Sequence, residues 1–134
     1  MPYISPHNEM IGDGMRDQVE LFKALGDESR LRALAALRGG ELCVCRLIAL
    51  LGLAPSTVSK HLSILRAARL VDSRKEGRWM YYRLSQDFRP PSAGRILDLM
   101  FKDMESTARF SGDRKRLEKI CREAPETLCR KRSR

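Results

Sequence analysis

The chain has 134 residues, which fits one domain, and its hydrophobic content of 43% excludes a polypeptide too polar to form a core. Aromatic residues make up only 6%, and the abundance of Leu, Ala, Ile and Met favours helices over a large sheet. The net charge of +9 arises after residue 52, because residues 1–52 carry six Lys/Arg against seven Asp/Glu and residues 53–85 carry seven against two. A localised basic surface is typical of nucleic-acid binding, although a merely soluble Arg-rich surface would look the same.

The first half of the chain predicts a loose arm and three helices. Residues 1–14 contain proline and glycine and read as the arm. Apolar spacing predicts a helix over residues 15–25, which Gly26 ends. Asp27 is expected to cap a second helix, which stops at Gly39 and Gly40. Residues 41–51 predict a short third helix.

The second half adds a helix-turn-helix and a hairpin. Pro55 suits the first turn of a fourth helix running to about residue 68, and this helix follows the third after a tight turn at residues 52–54. Residues 70–74 and 79–84 are β-prone, and Gly77 between them supplies a hairpin turn. We expect a fifth helix ending near residues 111–112 and a sixth, capped by Asp113, over residues 114–122.

The predicted fold is therefore mostly α (α+β): a winged helix-turn-helix with five to six helices and a two-stranded β-hairpin wing. We divide the chain into the arm (1–14), a DNA-binding and dimerisation domain (15–110) and a C-terminal helix with a basic, cysteine-containing tail (111–134). No leader or membrane-spanning run is evident, so we expect a cytoplasmic protein without membrane contact. Its four cysteines are then expected to be reduced thiols.

The fourth helix has the composition of a DNA-reading helix. The N-terminal residues of such a helix meet base edges, and small hydroxyl side chains allow close approach. His61 could contact DNA or pack at the domain surface, and both readings stay open. The wing would add basic side chains that touch phosphates. The candidate DNA-binding residues are Ser56, Thr57, Ser59, Lys60, His61 and Ser63 in the helix, with Arg74, Lys75 and Arg78 in the wing.

A pair of cysteines precedes this helix in the segment ELCVC (residues 41–45). Thiolates are soft ligands that suit As(III), Sb(III), Cd(II), Pb(II) or Zn(II), and a helix start lowers thiol pKa values. The alternative is that Cys43 and Cys45 are small buried hydrophobes. Residues two apart in a helix do not face each other, so binding one ion with both is expected to distort the first turn.

Several linked segments resemble the ArsR/SmtB family of bacterial metal-responsive repressors. These segments are LGDESRLRAL (25–34), ELCVC (41–45), STVSKHL (56–62) and EGRWMYYRL (76–84). The resemblance implies a winged-helix homodimer that binds an inverted-repeat operator and releases it when an inducer binds. It also implies a dimer interface on the first and fifth helices, for which the candidates are Val19, Phe22, Ile96, Leu97 and Met100.

Two departures from the family pattern bear on the expectations. Some members supply a third sulfur at the position of Ile48, so we hypothesise that one or both of Cys121 and Cys129 complete a site with Cys43 and Cys45, within one chain or across the dimer. Arg69 stands where the family usually has glycine, so the fourth helix is expected to end without a left-handed residue.

The leading interpretation is a DNA-binding repressor that needs no cofactor to bind DNA and is released by As(III) or Sb(III), with Cd(II), Pb(II) or Zn(II) as possible inducers. The main alternative keeps the fold and makes the thiols a redox or sulfide sensor. A small thiol oxidoreductase is less well supported, because no catalytic constellation accompanies the cysteines. A non-specific DNA-binding protein with merely structural cysteines is a further, less favoured alternative. We therefore expect that the protein is not an enzyme.

Overall fold

The computed structural model describes residues 14–124. The predicted arm lies outside this range except for Gly14, as do Cys129 and the basic tail. The predicted mostly helical winged helix-turn-helix is confirmed. In chain order the elements are α1 (Gly14–Leu25), α2 (Glu28–Leu37), β1 (Leu42–Cys43), α3 (Val44–Leu51), α4 (Pro55–Ala67), β2 (Val71–Glu76), β3 (Trp79–Leu84), α5 (Ala93–Met104) and α6 (Ala108–Cys121).

Leucines from α1 to α5 form one continuous core. The predicted cap of α2 is confirmed, because the Asp27 carboxylate accepts a hydrogen bond from the Arg30 backbone N–H at 3.0 Å. The fully buried residues with the largest side chains are Leu21, Leu34, Leu37, Leu47, Leu50, Val58, Leu62, Leu65, Leu70, Val71, Leu97 and Phe101.

The α3-turn-α4 unit is the predicted helix-turn-helix. Gly52 ends α3 in the left-handed region with φ of +67°, a conformation that a side chain would disfavour. Pro55 then occupies the first turn of α4, where its missing N–H leaves no bond unmade. Taken singly, no helix within residues 14–124 is long and apolar enough to cross a membrane, and only the bent α3–α4 pair taken together meets that length and composition test.

The sheet has three antiparallel strands in the order β1-β3-β2. The predicted hairpin is present, with Gly77 at φ of +61° opening a two-residue turn between Glu76 and Trp79. The third strand corrects the prediction of a helix beginning at residue 41. Leu42 and Cys43 are extended and pair with Tyr82 and Tyr81, and α3 begins only at Val44.

Arg69 corrects a second expectation. Its φ is +62°, so α4 does end on a left-handed residue, although that residue is not glycine. The Leu70 N–H donates to the Leu65 carbonyl at 3.0 Å and the Arg69 N–H to the Arg66 carbonyl at 2.9 Å. These two bonds define a Schellman motif, which satisfies carbonyls at the end of the helix.

The boundary between the last two helices also differs from the prediction. α5 ends at Met104, and Thr107 caps α6 by accepting a bond from the Phe110 N–H at 3.2 Å. Asp113 was predicted to cap the sixth helix, but it lies inside α6. α6 therefore runs across the 110/111 division drawn from the sequence.

Candidate DNA interface and thiol site

One face of α4 is buried and the opposite face is exposed. Val58, Leu62 and Leu65 point into the core, which orients the helix on the domain. The polar residues proposed to read DNA lie on the solvent side because they occupy the intervening helical positions. The exposed ones are Ser56, Thr57, Ser59, Lys60 and Ser63.

His61 packs at the junction of α1 and α2. Its Nδ1 lies 3.1 Å from a terminal guanidinium nitrogen of Arg30 and 3.8 Å from the Asp27 carboxylate. Arg30 also donates to the backbone carbonyl of Ala24 at 2.7 Å. Of the two readings of His61, the geometry supports the packing role, because this side chain ties α4 to the α1–α2 corner.

Lys75 and Arg78 are exposed residues near the tip of the wing. The Arg78 guanidinium lies over the Trp79 ring, 4.9 Å from its centroid, which holds the charge near the hairpin turn. Contact of these two residues with phosphates stays a prediction.

The structure corrects the prediction that Arg74 is available for contact with DNA, because its guanidinium forms hydrogen bonds within the protein. It donates to both carboxylate oxygens of Glu41 at 2.7 Å and to Glu76 at 2.7 Å. It also lies over the Tyr81 ring at 4.6 Å. The hydrogen bonds to Glu41 and then Glu76 raise the pKa of Arg74 above its usual range. Arg74 therefore ties the wing to the segment before the cysteines, and sequence spacing could not reveal a partner 33 residues away.

Cys43 and Cys45 are buried in one small cluster, with 1% and 5% of their surface exposed. Around them pack Val44, Ala49, Trp79, Tyr81 and Ile120. Cys43 is the extended N-cap residue of α3, and only Cys45 lies inside the helix. The premise that both cysteines lie inside the helix is therefore wrong, and distortion of the first turn on ion binding stays a prediction.

The electrostatics link this cluster to the wing strand. Burial raises the pKa of the Tyr81 hydroxyl, and the nearby Cys43 thiolate raises it further. Tyr81 is also the cross-strand partner of Cys43. A change in charge at Cys43 is thus felt directly on β3.

The end of α6 reaches the start of α3 within one chain. Arg46 donates to the backbone carbonyls of Cys121 at 3.4 Å and Glu123 at 3.2 Å, and Ile120 packs on the cysteine cluster. Cys121 is exposed and Cys43 is buried, and both carry free thiols. Cys45 is disulfide-bonded, which corrects the expectation that all cysteines are reduced.

A complete metal site is not assembled in the described part of the chain. Within residues 14–124 no three His, Cys, Asp or Glu side chains are grouped closely enough to hold an ion. Ile48, at the family's third-sulfur position, belongs to the main leucine core rather than to the cysteine cluster. Cys129 lies outside the described residues.

An exposed apolar surface lies on α1 and α5. Val19 and Phe22 were candidates for the dimer interface, and Phe22 is 58% exposed. Ile96 and Met100 are half-buried. The structure corrects the assignment of Leu97 to the dimer interface, since this residue is 1% exposed and belongs to the chain's own core. The sequence reading omitted two exposed residues, Met15 and Leu99, of which Met15 shares the helical spacing of Val19 and Phe22.

The structural neighbours define the class of protein. HlyU from Vibrio cholerae N16961 superposes with a TM-score of 0.59 at 33% identity, covering 69% of this chain and 96% of that one. A homodimeric winged helix-turn-helix DNA-binding domain from Mycobacterium bovis, Mb0332, superposes with a TM-score of 0.59 at 25% identity, covering 76% and 93%. The fold and its exposed reading helix are those of winged-helix transcriptional regulators, not of enzymes.

The sequence relatives narrow this class to a family. Residues 27–73 match the family model described as bacterial regulatory protein, arsR family. The arsenical resistance operon repressor of Escherichia coli (strain K12) is 43% identical over 81 residues, covering 60% of this chain and 68% of that protein. The cadmium resistance regulator CadC of Listeria innocua is 42% identical over 62 residues. The matched region covers 46% of this chain and 52% of CadC. The chain belongs to the arsR family of bacterial regulatory proteins.

Proposed function

We propose that this protein is a homodimeric repressor that binds an inverted-repeat operator and releases it when a thiophilic metalloid or metal binds, with As(III) or Sb(III) as the foremost inducers. The observation that carries the proposal is the position of Cys43 and Cys45 against β3 of the wing. The arsenical and cadmium resistance regulators among its relatives support this class of inducer.

The proposed ligand set is Cys43 and Cys45 with a third sulfur from Cys121 or Cys129. As(III) takes sulfur ligands readily, and soft thiolates distinguish it from hard cations. The contact between Arg46 and the end of α6 supports a ligand from the same chain, because it holds Cys121 near the cysteine cluster. Reduction of Cys45 would precede ligation.

We propose that binding of the inducer releases DNA by displacing strands of the sheet. Cys43 pairs with Tyr81, and Glu41, two residues before Cys43, holds Arg74 of β2. Drawing Cys43 toward an ion would displace β1 and strain both contacts. Because β2 and β3 form the wing, this displacement would move Lys75 and Arg78 relative to the phosphates.

Trp79 provides a direct test, because it is the only tryptophan and packs on the cysteine cluster. Arsenite added to the reduced protein should change Trp79 fluorescence at the same concentrations that release a fluorescent operator duplex. The coupling between inducer and DNA should be of ordinary allosteric size, about 5–150-fold. Cadmium and antimonite titrations under the same conditions rank the inducers.

Cysteine variants separate the ligands. Cys43→Ser should abolish both responses while leaving operator affinity within about twofold, well inside one tenfold step. Cys121→Ser, Cys129→Ser and the double variant identify the third sulfur. Arsenite affinity unchanged in all three would exclude the C-terminal thiols, and operator binding unchanged by every metal would refute the proposed inducer class.

The dimer is proposed to form through the apolar surface of α1 and α5. Phe22→Glu places a charge beside the exposed Met15 and Val19 of this surface and should yield monomers in analytical ultracentrifugation. Gln86→Glu is the matched control, because it adds the same single negative charge at an exposed position outside α1 and α5 and should remain dimeric. Dimers in both variants would place the interface elsewhere.

The second candidate function is a repressor switched by thiol oxidation, and the disulfide-bonded state of Cys45 favours it. Two thiols would lose two electrons and two protons to an oxidant and form the bridge, which a thiol reductant would reverse. Diamide should then release the operator without metal under anaerobic conditions, and Cys45→Ser should abolish this response. Release of the operator by arsenite but not by diamide would exclude the redox candidate.

A further inference from the structure

A second candidate site lies apart from the thiols and the reading helix. A cavity of about 420 Å³ opens between α2, the end of α3 and α6. That volume falls in the range of small-molecule sites, roughly 300–1,000 Å³. Its walls are mainly hydrocarbon, contributed by Leu31, Ala35, Ala36, Leu50, Met104, Phe110 and Leu117.

The cavity exists because α6 is held mainly by polar contacts, and its apolar contacts with the two clusters are made by the half-buried Leu117 and Ile120. No side chain of α6 is fully buried, although Phe110 and Leu117 line the cavity. Asp113 anchors the helix through Arg32, at 2.8 and 3.0 Å, and Arg116 donates to the Ala49 carbonyl at 3.0 Å. These contacts fix α6 above α2 and leave apolar space beneath it.

One end of the cavity continues into a polar recess. The recess shares Arg38, Phe110 and Arg114 with the cavity and adds Glu105 and Ser111. Arg38 pairs with Glu105 at 3.3 Å, and both side chains are substantially exposed. Such surface pairs are weak, about 0–1 kcal/mol, so an incoming anion can compete with the Glu105 carboxylate.

The charges around the cavity favour an anion. Four arginines line it (Arg32, Arg38, Arg109, Arg114) against two carboxylates, Glu28 and Asp113. Arg32 and Asp113 neutralise each other inside. Arg109 pairs with Glu28 at 3.3 Å, and Glu105 of the recess pairs with Arg38, so the cavity and the recess together carry four arginines against three carboxylates. The excess positive charge lies at Arg114, which lines the recess beside Arg38, and guanidinium groups there can bind a carboxylate in a bidentate manner.

We propose that this cavity binds a small amphipathic carboxylate, with its hydrocarbon tail between α2 and α6 and its carboxylate at Arg38 and Arg114. The site goes beyond the thiol chemistry and does not depend on it. Occupancy would fill the space beneath α6 and so hold in place the helix whose far end, at Ile120, packs on the cysteine cluster.

The experiment is calorimetric titration of the full, reduced, metal-free protein with decanoate, and with decanol as the neutral equivalent. Decanoate should bind, and decanol should bind at least about tenfold more weakly, because it lacks the charge-assisted hydrogen bonds to arginine. Arg114→Glu should weaken decanoate binding by a similar factor. Lys115→Glu is the matched control, since it makes the same charge change one position away, is exposed and does not line the cavity.

Ala36→Phe, which fills the cavity, should abolish binding in a protein whose helical circular dichroism is unchanged. If Ala36→Phe does not fold, Arg114→Glu still tests the proposal, because Arg114 is exposed and its substitution should not disturb folding. The proposal is overturned by the absence of decanoate binding, by equal affinity for decanoate and decanol, or by equal losses in Arg114→Glu and Lys115→Glu. The titration contains neither metal nor DNA, so its outcome is independent of the proposed repressor function.

Discussion

The helix-turn-helix (α3 and α4) and the C-terminal helix α6 are held in place by different forces. In the helix-turn-helix, α4 buries Val58, Leu62 and Leu65 almost completely in the shared core. α6 buries no side chain fully and depends on a few directional contacts, chiefly between Arg32 and Asp113. Apolar burial resists displacement in every direction, whereas a few polar bonds can be exchanged for others at a small change in free energy.

This contrast teaches how a sensor can respond without losing its DNA-reading surface. The cysteine cluster is bounded on one side by β1 and α3 and on the other by Ile120 of α6. The family match covers residues 27–73, which include α2 to α4 and exclude α6. A ligand that joins the two sides would therefore move the weakly packed helix and the edge strand before it moved the reading helix.

The largest expected effect compares a leucine from each region. Leu65→Ala removes a fully buried side chain of α4 and should lower the free energy of unfolding by about 3 kcal/mol. Leu117→Ala removes a half-buried side chain from the cavity wall of α6 and should lower it by about 1 kcal/mol or less. Urea denaturation monitored by circular dichroism measures both, and equal losses would remove the distinction between the two regions.

The next effect tests whether polar contacts hold α6. Asp113→Ala leaves Arg32 as a largely buried charge without its carboxylate and should lower the free energy of unfolding by about 2 kcal/mol. Glu105→Ala is the control, because it removes a carboxylate from the exposed pair with Arg38 and should change stability by about 0.5 kcal/mol or less. Similar values for the two variants would mean that the Arg32–Asp113 pair contributes no more than a surface pair.

A third prediction concerns the reading surface alone. Lys60→Ala should weaken operator binding about tenfold and reduce the slope of log affinity against log salt by about 1, if Lys60 contacts a phosphate. Lys102→Ala, an exposed charge on α5, should leave the slope unchanged. Fluorescence anisotropy at several salt concentrations measures both, and an equal change in the two variants would indicate a general charge effect.

What the sequence could predict follows from how local each feature is. The helix-turn-helix was predictable because Gly52, Pro55 and the apolar spacing of α4 act within a few residues of one another. The hairpin was predictable for the same reason, through Gly77. β1 was not, because a two-residue strand exists only by pairing with Tyr81 and Tyr82, nearly forty residues later in the chain.

The same reasoning accounts for the errors in the candidate site. Arg74 was assigned to phosphate contact from its place near the wing tip, but its partner Glu41 is brought to it only by the folded sheet. Asp113 was predicted to cap a sixth helix after a break near residues 111–112, whereas Thr107 caps α6 and Asp113 faces Arg32 across the fold. Tertiary ion pairs have no periodicity that sequence reading can detect.

The smallest predicted effect comes from the residue that joins the reading helix to the wing. Arg69 has a left-handed φ of +62°, a conformation that costs a residue with a Cβ about 1–2 kcal/mol. Arg69→Gly relieves this strain but makes the unfolded chain more flexible, which offsets about 0.4–1 kcal/mol. The net expectation is a gain of about 0.5–1 kcal/mol in the free energy of unfolding, measured by urea denaturation. Arg69→Lys is the matched control, because it keeps both the charge and the strained backbone and should leave stability unchanged. A loss of stability in Arg69→Gly would show that contacts of the Arg69 side chain outweigh the strain of its backbone.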